Sequence, residues 1–184
     1  MTNTFDTIVV GAGMSGGWAA KEFTEQGFKT LLLERGPNVE HLKDYPTTNM
    51  QPWEFKHRGR LTAKEIEDNP VASRCYAFRE DAKHFFVKDK EHPYEQVKPF
   101  DWIRGYQVGG KSIMWARQVQ RWSPYDFEGP ARDGFAVDWP IRYKDLADWY
   151  TYVEGFVGVS GNKDGLDSLP DGECVEPWEA NVVE

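Results

Sequence analysis

The chain has 184 residues, 40% of them hydrophobic and 28% charged, with a formal net charge of −8 and a pI near 5.1. An acidic surface repels nucleic-acid phosphates and anionic lipid head groups, so this balance argues against a nucleic-acid or membrane-surface partner and favours a small molecule. No stretch resembles a signal peptide or a membrane span, and we therefore expect a cytoplasmic protein.

The first element is a β-branched run at residues 7–10, which leads into the pattern G-x-G-x-x-G at residues 11–16. Gly11 permits the tight turn from strand to helix, Gly13 lets the backbone approach a pyrophosphate, and Gly16 lets the helix pack closely on its strand. The pattern predicts a dinucleotide site, with the pyrophosphate at the N-terminus of the following helix.

The next segments complete a βαβ unit. Residues 18–26 have the pattern of an amphipathic helix, Gly27 stands where a helix ends, and residues 29–33 have the composition of a buried parallel strand. Glu34 follows that strand, where a carboxylate can accept hydrogen bonds from an adenosine ribose. Arg35 is suited to a 2′-phosphate instead, although the neighbouring Glu34 would repel that group.

Residues 37–99 form a long excursion rich in proline, charge and aromatic side chains, without sustained helical or strand periodicity. Excursions of this kind are commonly lids or binding loops. One short helix is predicted over residues 62–68, because Thr62 and Glu65 have the spacing of a capping box.

Two further helices are predicted in the second half, over residues 112–122 and 143–157. The second has an apolar stripe that we expect to be core, formed by Leu146, Trp149, Tyr150, Val153, Phe156 and Val157. After residue 35 no convincing third parallel strand with its crossover helix follows, although a doubly wound sheet needs one. We therefore expect the chain to be incomplete.

Metal and disulfide chemistry are not expected. Cys75 and Cys174 lie far apart without a C-x-x-C pattern, and the four histidines fall in polar segments without ligand spacing.

Residues 105–112 match G-x-x-x-x-G-K-S, the pattern of a phosphate-binding P-loop. The preceding residues 98–104 are mixed and charged rather than a buried strand, and no apolar run ending in a magnesium-binding aspartate follows. A P-loop NTPase or phosphotransferase therefore stays an alternative. An NAD(P)-dependent dehydrogenase and a non-catalytic nucleotide-binding subunit are the others, because the N-terminal pattern alone does not separate NAD from FAD.

Four segments in order carry a family resemblance. They are the glycine pattern at 11–16, Glu34-Arg35-Gly36, R-G-x-x-V-G-G-x-S at 104–112 and W-P-I-x-Y-x-x-L at 139–146. Together they resemble the N-terminal half of a glucose-methanol-choline (GMC) oxidoreductase, nearest to its bacterial sugar and pyranose oxidising branch. The resemblance implies an α/β fold, an FAD-binding Rossmann-like domain that is incomplete here. It also implies an FAD-dependent oxidoreductase that converts an alcohol or sugar CH–OH group to a carbonyl by hydride transfer to flavin.

The resemblance also implies a set of cofactor-binding residues. The glycines at 11–16 would hold the FAD pyrophosphate, residues 109–112 would line a second side of the cofactor, and residues 115 and 116 would lie near its isoalloxazine ring. The full set is Gly11, Gly13, Met14, Ser15, Gly16, Glu34, Arg35, Gly109, Gly110, Ser112, Met114, Trp115 and Ala116.

We expect the chain to have four parts. Residues 1–36 would be the βαβ unit, 37–99 the excursion or lid, 100–161 the second FAD-contacting segment with its helix, and 162–184 a polar tail leading into a missing domain.

Two departures from the family pattern matter. Members with covalent FAD carry a histidine where this chain has Met114, so a non-covalent FAD is implied. The family's catalytic histidine lies late in a much longer chain. No catalytic residue is therefore assigned here. We expect a missing C-terminal domain or a complementary chain to bind the substrate.

Overall fold

The computed structural model describes residues 3–179 and 182 of the chain. It divides into two compact units, Met1–Ala116 and Arg117–Glu184. The first unit contains β1 (Thr7–Val10), α1 (Met14–Glu25), β2 (Thr30–Leu33) and α2 (Ala63–Asp68). The second contains α3 (Pro124–Asp133) and α4 (Tyr143–Val157).

The predicted βαβ unit is confirmed. β1 and β2 pair in parallel, with Thr7 opposite Thr30. Helix α1 starts at the glycine pattern, four residues earlier than the sequence predicted, and Gly27 follows its end with φ +87°. The left-handed backbone at that position is easy for glycine, and its amide donates to the Thr24 carbonyl at 3.0 Å.

The expected burial of the second strand is wrong. Leu32 and Leu33 are 39% and 47% exposed, and Ile8 and Val10 of the first strand are 60% and 81% exposed. The reason is that the sheet has two strands among the described residues and packs mainly against α1. A parallel sheet normally has both faces covered.

The apolar core of the first unit lies in the long excursion. Ala72, Phe78 and Phe86 form a buried cluster, in which the two phenylalanine rings meet edge to face at 5.3 Å. The partly buried side chains packed around it are Leu61, Cys75, Ala77, Ala82, Ile103 and Met114. The aromatic side chains of this segment therefore form much of the apolar core of the first unit.

Helix α2 forms where the capping box predicted it. The Thr62 hydroxyl oxygen accepts from the amide of Glu65, and the Glu65 carboxylate accepts from the amide of Thr62 at 2.7 Å. Lys83 also donates to that carboxylate at 2.5 Å. This ion pair and the cap lower the pKa of Glu65 from 4.5 to about 2.

In the second unit, α4 matches the predicted range, whereas α3 was missed. Ser123 caps α3, Pro124 occupies its first turn, and Gly134 follows its end with φ +70°. These are ordinary start and stop signals. Pro130 inside the helix concealed them, because proline normally ends a helical pattern.

The predicted helix over residues 112–122 is wrong. Residues Gly110–Ile113 form a single 3₁₀ turn, and no α-helix is assigned between there and Pro124. Arg117 has φ +63°, a left-handed conformation that interrupts a right-handed helix.

The apolar stripe of α4 is only partly core. Trp149, Phe156 and Val157 are 62%, 58% and 55% exposed. The buried residue of α4 is Glu154, which pairs with Arg121, so a charged side chain faces the interior at this position of the helix. None of the described helices, of which this 15-residue one is the longest, is both long and apolar enough to cross a membrane.

Candidate functional site

The first glycine turn joins β1 to α1. Gly11 has φ +94° and donates its amide to the Leu33 carbonyl at 2.7 Å, which ties the turn to β2. A Cβ built on Gly16 would lie 1.8 Å from the Gly11 carbonyl oxygen. Any side chain at Gly16 would therefore separate helix from turn, as the predicted packing role requires.

Gly13 has the opposite environment. A Cβ built on Gly13 would meet nothing within 4 Å, so the space beside it is open. It is also the N-cap of α1, and no side chain caps the helix there. The amides of the first helical turn, which includes Met14, Ser15 and Gly16, lack carbonyl partners within their own helix. Such a helix start attracts an anionic group.

Glu34 lies beside this turn and binds its backbone. One carboxylate oxygen accepts from the amide of Ala12 at 2.7 Å, and the other accepts from the amide of Gly36 at 2.9 Å. These two amides lower the pKa of Glu34 below 4.5, so it is ionised at neutral pH. Each carboxylate oxygen keeps capacity for one further hydrogen bond.

The second glycine segment docks on the first. The amide of Gly109 donates to the Ala12 carbonyl at 3.0 Å. A Cβ built on Gly110 would lie 3.0 Å from the Cα of Gly13, and Gly110 has φ +53°. Both the closeness and the left-handed backbone favour glycine at this position. The structure therefore brings the two predicted glycine segments into contact.

Arg35 and Tyr106 make a second contact between the same parts of the chain. The Arg35 guanidinium lies 3.8 Å from the centre of the Tyr106 ring. A Cβ built on Gly36 would lie 2.0 Å from the Tyr106 carbonyl oxygen, so the backbones touch there. Tyr106 was not among the predicted site residues, because a contact between segments far apart in the chain produces no local sequence pattern.

The remaining predicted residues are more dispersed. The Ser112 hydroxyl donates to the Gly109 carbonyl and so braces the second glycine turn. Met114 packs against the apolar core around Phe78. Trp115 lies with Met114 and Phe85 in the wall of a cleft of about 400 Å³, and Ala116 is exposed.

Residues 105–112 lack the preceding strand and the following helix that a P-loop needs. No described residue between β2 and Gly105 is assigned to a strand, and the segment runs into a four-residue 3₁₀ turn instead of a helix. Lys111 is exposed. Nor do the described residues include a group of three or more His, Cys, Asp or Glu side chains arranged to hold a metal ion.

Known proteins match nearly the whole chain. Fructose dehydrogenase large subunit from Gluconobacter japonicus is 27% identical over 96% of this chain and 31% of its own length. 2-Methyl-1,2-propanediol dehydrogenase from Mycolicibacterium austroafricanum is 28% identical over 90% of this chain and 26% of its own length. Gluconate 2-dehydrogenase flavoprotein from Pantoea cypripedii is 26% identical over 85% of this chain, again 26% of its own.

Pyridoxine 4-oxidase from Mesorbium loti is a solved structure with a TM-score of 0.45 and 19% identity, over 93% of this chain and 27% of that one. No family model matches the chain. The chain thus spans between a quarter and a third of the length of these curated relatives. The relatives confirm the resemblance that the four motifs indicated: the chain is related to the glucose-methanol-choline oxidoreductases.

Proposed function

We propose that the chain binds FAD through its two glycine segments and is the FAD-binding part of an oxidoreductase that converts an alcohol or sugar CH–OH group to a carbonyl. The observation that carries this proposal is the contact between Gly110 and Gly13 beside open space. Two glycine turns that meet in this way leave backbone, with no side chains, facing a ligand.

The pyrophosphate fits the start of α1. The position beside Gly13 is open, and no side chain caps the helix. Amides of Met14, Ser15 and Gly16 would donate to the phosphate oxygens, and the helix dipole would favour their negative charge.

The adenosine end fits Glu34 and Arg35. Glu34 is held by Ala12 and Gly36, which fixes the direction of its carboxylate before any ligand arrives. Its free lone pairs would accept the ribose hydroxyls. The ionised Glu34 disfavours the 2′-phosphate of NADP, and Arg35 is already stacked on Tyr106.

The flavin end is assigned to Gly109, Gly110, Ser112, Met114, Trp115 and Ala116. FAD, when bound, supplies the acceptor for the substrate's hydride. The paired glycines keep bulk away from the ring, and Ser112 holds their turn. Met114 is directed into the core and carries a thioether, so we propose that FAD is held without a covalent link.

The curated relatives support the reaction class. One is named a fructose dehydrogenase, one a propanediol dehydrogenase and one a gluconate dehydrogenase flavoprotein. The region they share with this chain is 26–31% of their length. We therefore propose that a further domain or a second chain supplies the substrate site and the group that takes the hydroxyl proton.

The proposal is tested by titrating the flavin-free intact protein with FAD, NAD⁺ and magnesium-ATP in parallel, with bound ligand followed by calorimetry. We expect FAD alone to bind tightly, and Lys111→Ala to leave that affinity unchanged because Lys111 is exposed. Binding of magnesium-ATP that Lys111→Ala abolishes would replace this function with that of a P-loop protein. Binding of NAD⁺ without FAD would replace it with a nicotinamide-dependent dehydrogenase.

A further inference from the structure

A groove of about 800 Å³ crosses the surface of the first unit, and none of its lining residues belongs to the two glycine segments. Its apolar wall includes Phe55, Tyr76 and Phe78. Its charged lining consists of Arg58, Arg60, Arg79 and Asp81.

The groove is positively charged on a negatively charged protein. Three arginines and one aspartate give the lining a formal charge of +2, whereas the whole chain carries −8. Such a local excess attracts anions even when the net charge repels them.

Three nearby acids outside the lining form ion pairs with other cations. Glu65 and Glu80 are both paired with Lys83, and Asp101 is paired with Arg74. Arg79 donates its Nε to the Tyr76 carbonyl at 2.7 Å, which positions the guanidinium. In the part of the chain that the structure describes, Arg58, Arg60 and Arg79 form no ion pair. Their guanidinium groups are therefore available to a ligand.

The backbone that carries two of the arginines is unusual. His57 and Arg58 are successive non-glycine residues with φ of 51° and 53°. Left-handed backbone is costly for both, and such strain is characteristic of binding and catalytic sites. The turn places Arg58 and Arg60 in the lining of the same groove.

We propose that this groove binds a small organic anion with a planar apolar body, such as an aromatic carboxylate or an aryl phosphate. Guanidinium groups form paired hydrogen bonds with both kinds of anion. Phe55 and Tyr76 supply the surface on which a flat ring packs. A volume of about 800 Å³ suits a small molecule of this size. The inference stands independently of FAD binding.

The test is calorimetric titration of the intact protein, with and without saturating FAD, using benzoate, phenyl phosphate and benzyl alcohol as probes. We expect one or both anions to bind with Kd of about 1 mM or tighter, equally well in both states, and the neutral alcohol not to bind. Comparing the affinities for benzoate and phenyl phosphate distinguishes a carboxylate site from a phosphate site. Displacement of the anion by FAD, or the absence of anion binding, would overturn the proposal.

Three variants assign any binding to the groove. Arg60→Gln should weaken it about tenfold, because one charged donor is lost. Asp81→Asn should strengthen it about threefold, because the one opposing charge is removed. A damaged fold does not produce tighter binding, so this second variant keeps the test decisive. Arg132→Gln is the matched control, an exposed arginine on α3 outside the groove.

Equal affinities in Arg60→Gln, Asp81→Asn and the unmodified protein would contradict the proposal. It would also be contradicted if polyglutamate bound in an Arg60-dependent way while neither small anion did, because the groove would then serve an acidic polypeptide.

Discussion

The amide of Gly109 donates a 3.0 Å hydrogen bond to the carbonyl oxygen of Ala12, and this bond joins two glycine turns that are far apart in the sequence. Next to it, Gly110 approaches Gly13 so closely that a Cβ on Gly110 would lie 3.0 Å from the Cα of Gly13. The long excursion between the two turns therefore returns to the start of α1. A single ligand at this place can touch both turns.

Gly13→Ala should reduce FAD affinity more than tenfold, because its methyl group would enter the space proposed for the pyrophosphate. The fold should tolerate the change, since a Cβ there meets no atom within 4 Å. The N-cap preference for glycine over alanine limits the loss of stability to about 1 kcal/mol. Calorimetry with FAD and a thermal melt of the FAD-free protein measure both effects.

Gly17→Ala is the matched control, because its Cβ would be 3.9 Å from the Ala12 carbonyl oxygen, an ordinary contact. Gly16→Ala should instead destabilise the fold itself, since its Cβ would be 1.8 Å from the Gly11 carbonyl oxygen. If Gly13→Ala binds FAD as well as Gly17→Ala does, the pyrophosphate does not lie at this turn.

Glu34→Gln should lower the free energy of unfolding of the ligand-free protein at neutral pH by about 1 kcal/mol, since an amide cannot replace both carboxylate acceptors. The amides of Ala12 and Gly36 hold the pKa of Glu34 below 4.5, so its contribution is complete above that pH. It is lost as the pH falls through the lowered pKa. Urea denaturation at several pH values measures it, with the exposed Glu95→Gln as control.

The stability difference between the unmodified protein and Glu34→Gln should therefore shrink as the pH falls below 4.5 and through the lowered pKa of Glu34. A difference that stays constant over this range would mean that the carboxylate does not hold the two amides.

Lys83→Met should raise the pKa of Glu65 from about 2 towards its ordinary value of 4.5. The hydrogen bond from Lys83 is the largest single cause of the lowered pKa, followed by the bonds from the Thr62 amide and then the Thr62 hydroxyl, of which Thr62→Ala removes only the last. Carboxyl ¹³C shifts followed through an acid titration give the pKa directly. Thr62→Ala should raise it by a smaller amount, and the reverse order of the two variants would contradict this assignment.

Arg121→Leu should destabilise the second unit by about 3–5 kcal/mol, because it leaves the Glu154 carboxylate buried without its partner. The two side chains are 7% and 5% exposed, and their closest atoms lie 2.6 Å apart. Arg121 lowers the pKa of Glu154, which keeps the carboxylate charged.

The double variant Arg121→Leu/Glu154→Leu should recover most of that stability, since no unpaired charge remains. Urea denaturation of the two single variants and the double variant measures the coupling. Additive losses in the double variant would show that the two side chains do not depend on each other.

Local signals predicted the parts of the fold that depend on local sequence. Three such signals each occupy one continuous stretch of sequence, and the structure contains all three: the glycine turn with α1, the capping box at Thr62 and the periodicity of α4. The burial of β2 and of the α4 stripe was predicted incorrectly, because burial depends on which other segments cover a surface.

The sequence predicted which residues belong to the candidate site, but it did not predict the contacts between them. The motifs named Glu34, Gly109 and Gly110, yet the bond from Gly109 to Ala12 and the stack of Arg35 on Tyr106 join distant segments. Such pairings depend on the path of the intervening chain, which has no periodic pattern to predict it.

The most direct test of the central claim is acid precipitation of the intact, flavin-loaded protein. We predict that all the yellow colour is released into the supernatant and is identified as FAD by its absorbance and mass, because Met114 provides no histidyl bond and packs into the core. Colour that stays with the precipitated protein would contradict non-covalent binding. An intact protein that carries no flavin and takes up none would contradict the cofactor site itself.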